Sequence, residues 1–146
     1  MTASDSYNSL NPSDGSVIRV ISEPNAQEEA EKLARKNSCR VFRVDVEVID
    51  SKESLLSAIS EAFSFPPYFG GNWDALEECL CDQSWKEGEV VFLIFVTADR
   101  LLDLDLRDVS ALTNVLSDTA LFWRGEGVDF QVLLFGSSRL NELINS

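Results

Sequence analysis

No histidine occurs among the 146 residues. That removes Ser/His and Cys/His nucleophile pairs, histidine-ligated zinc and iron, and the commonest general base at neutral pH. Basic residues are scarce: 12 Lys and Arg stand against 25 Asp and Glu, for a formal charge of −13 and a pI near 4.2. Phosphate neutralisation dominates nucleic-acid affinity, so a binder of nucleic acid carries a basic patch or stripe. The composition argues against direct nucleic-acid binding and favours a basic partner. The three cysteines, Cys39, Cys79 and Cys81, are too few and too odd in number for a disulfide framework. They suit a reducing compartment and read as small buried hydrophobes. The longest fully apolar run is Val90–Val96, far short of the roughly 18 residues of a membrane span. The opening MTASDSYNSLNPSDGS has neither a basic n-region nor an apolar h-region, unlike a signal peptide. A soluble, cytoplasmic protein with no membrane association is expected.

What is present suits a folded core. Hydrophobic residues make up 45% and charged residues 25%, ordinary proportions for a chain of about one domain. Residues 1–15 read as a polar, disordered tail and 16–146 as one domain. Ser16–Ser22 is β-branched enough for a strand, with Val17, Arg19 and Ile21 on one face and Ile18 and Val20 on the other. A helix follows, capped by Asn25 with Glu28 completing a capping box, and Ala26, Ala30, Leu33 and Ala34 form its buried stripe. Arg40–Val48 reads as a strand through Val41, Val44, Val46 and Val48. Asp50, with Glu53 three residues on, starts a helix with Leu55, Leu56, Ile59, Ala62 and Phe63 inward, ended by Phe65-Pro66-Pro67. Asn72–Cys81 is a short helix, and Glu89–Phe95 a strand covered on both faces. Between Asp105 and Trp123, Leu106, Val109, Leu112, Leu116, Ala120 and Trp123 fit a helical stripe, stopped by Arg124-Gly125-Glu126-Gly127. Phe130–Phe135 is a last strand and Arg139–Ile144 a final helical turn. The order β-α-β-α-α-β-α-β argues for an α/β fold with a largely parallel sheet of three to four strands packed with helices.

One segment carries more information than the rest. In Phe65–Asp82, FPPYFGGNWDALEECLCD, a loop of proline, aromatics and paired glycines feeds a helix that Asn72 can cap. Trp73, Leu76 and Leu80 share one face, and Asp74 and Glu78 stand at i, i+4 on another, with Glu77 between them and Asp82 one turn beyond. Residues 74–89 hold six acids against Lys86 alone, whereas residues 19–43 hold six bases and four acids. A solvated acidic face would explain the charges by themselves. Beside them, however, Tyr68 and Phe69 offer aromatic surface and Gly70-Gly71 close-approach backbone, a pairing common at protein-binding hot spots. Phe69 reads equally well as a core plug.

This segment resembles the signature of the barstar family, a P-x-Y-[YF]-G-x-N-x-D-A-L run followed by an acidic residue and Cys-Leu. The matching positions are Pro66, Tyr68, Phe69, Gly70, Asn72, Asp74, Ala75, Leu76, Cys79 and Leu80, and a looser resemblance runs from about 39 to 135. The resemblance implies a barstar-like fold and a protein inhibitor of a basic ribonuclease or ribonuclease toxin, an immunity protein rather than an enzyme, with no cofactor and no metal. Barstar and its enzyme are themselves a standard illustration of hot spots and electrostatic steering. In the family, the loop and helix plug the enzyme's active site, with helix carboxylates where substrate phosphates would lie. Carried over, the partner-binding residues are Tyr68, Phe69, Gly70, Gly71, Asn72, Asp74, Glu77, Glu78 and Asp82. Three departures stand out. Glu78 stands where the family usually has aspartate, Glu77 replaces a large aromatic, and residues 16–38 add a β-α unit ahead of the shared region.

Two other readings compete. Asp74, Glu78 and Asp82 could form a carboxylate enzyme or a Mg²⁺ or Ca²⁺ site, but oxygen ligands on one helix face cannot surround an ion. Alternatively, the chain is an interaction domain of the same fold with a non-nuclease partner. Acids of the later helix, such as Asp118, can join this face only through tertiary packing.

Overall fold

The structure is a computed structural model that describes residues 17–22, 26–65 and 71–145. The expected tail at 1–15, the Asn25 cap, Pro66, Pro67, Tyr68, Phe69 and Gly70 lie outside the described residues. The elements run β1 (Ile18–Ile21), α1 (Ala26–Lys36), β2 (Arg40–Asp45), a 3₁₀ turn (Val46–Val48), α2 (Lys52–Phe63), α3 (Trp73–Cys81), β3 (Val90–Val96), a 3₁₀ turn (Ala98–Asp103), α4 (Leu106–Gly125), β4 (Asp129–Phe135) and α5 (Ser138–Ile144).

The fold is α/β, with four strands in the order β1-β4-β3-β2 and every neighbouring pair parallel. The chain crosses the sheet from β1 to β2, then returns through β3 to β4. Crossovers of one hand that run in opposite directions must lie on opposite faces, and the core divides accordingly. On one face Ala30 and Ala34 of α1 pack with Phe92, Ile94, Val96 and Leu133. On the other, Val91, Leu93, Phe95, Phe130, Val132 and Leu134 meet the buried sides of α2, α3, α4 and α5. The two small alanines let α1 approach the sheet closely. Strands β3 and β4 are apolar at nearly every position because both of their faces are covered, and Val91 to Phe95 are fully buried.

Most boundaries fall where periodicity places them, and the differences have local causes. The strand expected to Val48 stops at Asp45, which pairs with Val96, the last residue of β3. Beyond that point no ladder partner remains. The Asp45 carboxylate accepts the Glu47 N–H at 3.0 Å, starting a 3₁₀ turn that leaves Val46 buried and Val48 74% exposed. Helix α2 is capped by Ser51, not Asp50: Ser51 Oγ accepts the Ser54 N–H and Ser54 Oγ accepts the Ser51 N–H, a reciprocal capping box. At its other end Ser64 takes a left-handed conformation. Val17 precedes the first strand's ladder and packs with Ile18 and Val20 instead of opposite them, while Ile21 packs on the far face. Leu106 is exposed, being the first residue after the Asp105 cap, whereas Val115 and Thr119 add to the buried side of α4. The cysteines are partly exposed and not fully buried; on α3, Cys79 and Cys81 stay at the margin because only Leu76 and Leu80 are buried there.

One edge of the sheet is β2, the other β1. On β2, Arg40 donates to Glu89 at 2.8 Å, and Arg43 lies 3.5 Å from Glu31, a buried α1 carboxylate that also pairs with Arg35. Opposite, Asp99 in the second 3₁₀ turn accepts the Ser137 N–H at 2.8 Å and anchors the start of α5.

Phe92 is the test of the α1 layer. Phe92→Ala is expected to cost about 3–5 kcal/mol, read as a fall in the urea midpoint at unchanged slope. A loss below about 1 kcal/mol would show that α1 does not seal that face.

Candidate functional site

The acidic helix is held from beneath. Leu76 and Leu80 are fully buried, and Trp73 packs partly into the same cluster. The Asn72 carboxamide oxygen accepts the Ala75 N–H at 2.8 Å, fixing the first turn. Gly71, just before it, has φ +68, in the left-handed region that favours glycine, and no atom lies near where a Cβ would stand. Conformation, not space, demands glycine there.

The far end of α3 leaves carbonyls to be satisfied, and two side chains do so. Trp123 Nε1 of α4 donates to the Leu80 carbonyl at 3.0 Å in a buried contact, and Gln83 Nε2 donates to the Cys79 carbonyl at 2.7 Å. Just beyond, the Trp85 ring is 4.8 Å from Trp123, 5.9 Å from Phe130 and 5.9 Å from Phe42. Helix α3 is thereby fixed against α4 and the sheet, with its polar side left free.

On that side Asp74, Glu78 and Asp82 are exposed and Glu77 is half-buried. No basic residue occupies the last turn of α3, where a cation would favour the helix dipole. Glu78 and Asp82 sit instead at the end that repels them. The structure brings Asp118 of α4 to Glu77, an acid whose place the sequence could not give. Partial burial pushes the Glu77 carboxyl above its ordinary value, followed by the charge of Asp118, a hydrogen bond with it, and the charge of Asp74. The Cys79 thiol is raised by burial and by Asp82 and Glu78, and Cys81 by burial, Glu77 and Asp118. Both thiols are therefore poor nucleophiles at neutral pH.

A groove of about 290 Å³ runs beside the helix, walled by Phe63 and Phe65 from the end of α2 and by Glu78, Cys79, Asp82 and Gln83. Nothing in the spacing announces this groove, because Phe63 reads there only as core. Of the nine sequence-derived site residues, Gly71, Asn72, Asp74, Glu77, Glu78 and Asp82 share this helix and its entrance. Tyr68, Phe69 and Gly70 lie outside the described residues. Among the described residues no group of three or more metal-ligating side chains is arranged to hold an ion, and no helix is long and apolar enough to cross a membrane.

The family model for Barstar (barnase inhibitor) matches residues 39–135, more than half of the chain. The match covers β2 through β4 and leaves β1, α1 and α5 outside it. No curated protein matches. Among solved structures, the crystal structure of Cdc6p from Pyrobaculum aerophilum is similar, with a TM-score of 0.53 at 15% identity over 98% of this chain and 41% of that one. This chain thus spans less than half of that protein's length, and at that identity the likeness is one of fold alone.

Two outcomes are expected from the site's construction. Trp123→Phe keeps an aromatic ring but removes the indole N–H, stranding the Leu80 carbonyl at a cost of about 1–3 kcal/mol in chemical denaturation. Asp118→Asn lowers the Glu77 pKa towards its ordinary value, measurable by carboxyl NMR titration. A raised carboxyl pKa means that the folded state holds the proton longer, so Glu77 weakens stability above its folded pKa and has no such effect below the unfolded value. Asp118→Asn should therefore stabilise at neutral pH, and the gain should vanish as pH falls through the glutamate range.

Proposed function

The chain belongs to the barstar family, and we propose that it inhibits a basic ribonuclease or ribonuclease toxin by covering its active site. The observation that carries this reading is α3: a rigid helix, capped at Asn72 and pinned by Trp123, whose outward side is a row of carboxylates. Asp74, Glu78 and Asp82 follow one another at four-residue steps, about 6 Å apart along the axis. A ribonuclease cleft is cationic because it is made for phosphate, and a fixed row of carboxylates is complementary to it. In this reading Asp74 and Glu78 occupy phosphate positions. Gly71 and Asn72 bring backbone against the enzyme, Tyr68, Phe69 and Gly70 supply the aromatic loop, and Glu77 and Asp82 extend the charged surface. The protein acts as an inhibitor and not as an enzyme, needs no cofactor, and works in the cytoplasm. It forms one domain over 16–146, with 16–38 as an added β-α unit that extends the sheet.

One observation favours a second reading, a non-nuclease partner for the same face. Glu77 stands where the family has a large aromatic, and it is paired with Asp118, so the middle of the surface is charged where the family is apolar.

The decisive experiment is capture of partners from lysate and secreted fractions on the wild type and on Asp74→Ala/Glu78→Ala. A basic nuclease held by the wild type alone is expected. Each single variant should weaken its inhibition about thirtyfold or more, and the wild-type on-rate should fall steeply with salt. Identical captured proteins on both baits would remove α3 from the interface. A basic protein that is not a nuclease would establish the second reading.

A further inference from the structure

We propose that β1 and α1 exchange between two copies of this chain, each copy laying its β1-α1 unit on the other's sheet, with Asn37-Ser38-Cys39 as the hinge. This goes beyond the reading of α3 and does not depend on it.

After α1 the chain reverses within three residues into β2, and the family match begins at Cys39, where the reversal ends. Under α1 lies a face that cannot stay bare. Phe92, Ile94, Val96 and Leu133 are at most 3% exposed, packed with Ala30 and Ala34. The piece that fits this face is the β1-α1 unit, from the same copy or from another. Pairing of Ile18–Ile21 with Val132–Phe135, the two alanines on the sheet and Glu31 beside Arg43 all re-form across copies. These contacts therefore cancel between the closed monomer and the exchanged dimer, and the hinge decides.

The closed hinge is strained. The Cys39 N–H donates to the Ala34 carbonyl at 2.8 Å and the Ser38 N–H to the Arg35 carbonyl at 3.1 Å. This helix ending puts one residue in the left-handed region and favours glycine there. Ser38 holds that position with φ 62. At the end of α4 the same two bonds run from Val128 and Gly127, and the left-handed residue is glycine. The Cβ of Ser38 crowds the backbone in this conformation, and an extended hinge releases the strain once in each copy. Asn37 and Ser38 are exposed, so their hydrogen bonds pass to water at small net cost. Short hinge loops under strain favour exchange. One β1 leaves β4 as the other arrives, so no strand is added to a free edge. Helix α1 lies on the sheet face away from α3, and the dimer carries two acidic helices.

The test refolds the full chain at millimolar concentration from a mixture of isotope-labelled and unlabelled copies, and separates monomer from dimer by gel filtration with light scattering. A dimer is expected in which isotope-filtered NMR finds the Ala30 and Ala34 methyls of one copy against Phe92, Ile94 and Leu133 of the other. Ser38→Gly should lower the dimerisation constant about twenty-five-fold, roughly fivefold for each hinge. Ser38→Pro, which cannot take the left-handed conformation, should raise it. Ser64 closes α2 in the same way, with φ 55 and the Phe65 N–H on the Ser60 carbonyl. Ser64→Gly relieves that strain away from the hinge and should leave the constant unchanged. A wild type that stays monomeric, a dimer without the cross-copy contacts, or equal responses to Ser38→Gly and Ser64→Gly would overturn the proposal.

Discussion

The Trp85 ring ties the acidic region to the rest of the molecule. It lies outside every helix and strand, yet it meets Phe42 of β2, Phe63 of α2, Trp123 of α4 and Phe130 of β4. Each such contact adds about 0.5–1.5 kcal/mol beyond the area it buries. More important is its position four residues after α3. With Trp85 seated and Trp123 bonded to Leu80, the acidic helix cannot slide or rotate on the core. A charged surface can discriminate between partners only if its charges stay where they are. The aromatic cluster below supplies that rigidity.

How much of this was legible beforehand depends on the kind of signal. Leu76 and Leu80, Val109 to Trp123 and the runs at Val90 and Phe130 announce themselves through spacing, since an element covered on one or both faces repeats its apolar residues accordingly. The family signature at 66–80 marks this region in the sequence, and its described part is local too: Gly71, the Asn72 cap and α3 are adjacent in the chain. What did not show was set by contact across the chain. Trp85 stands in an irregular stretch with no period. Asp118 reaches Glu77 only because α4 packs on α3. The groove exists because the end of α2 lies beside Glu78 and Asp82, and nothing in either segment implies the other. Val48 fails differently: alternation continued in the sequence after the neighbouring strand had run out.

The acidic face is held together against its own repulsion. Local rules would place cations at the end of α3 and would not set Asp118 against Glu77. Such conflicts between local preference and global structure are expected where function, and not folding, chose the residue. A neutral aromatic side chain at the Glu77 position would carry no such electrostatic cost, whereas the carboxylate there adds charge beside Asp118 and Asp74.

Arg40 and Arg43 have a consequence at the edge of the sheet. The edge of a parallel sheet offers unpaired N–H and C=O groups to any extended chain. On β2 that edge is six residues long, carries both arginines held by Glu89 and Glu31, and is cut short by the turn at Val46. The other edge, β1, has only four residues. Neither is a good template for a second copy. Addition of a strand from a second copy is therefore disfavoured at both edges.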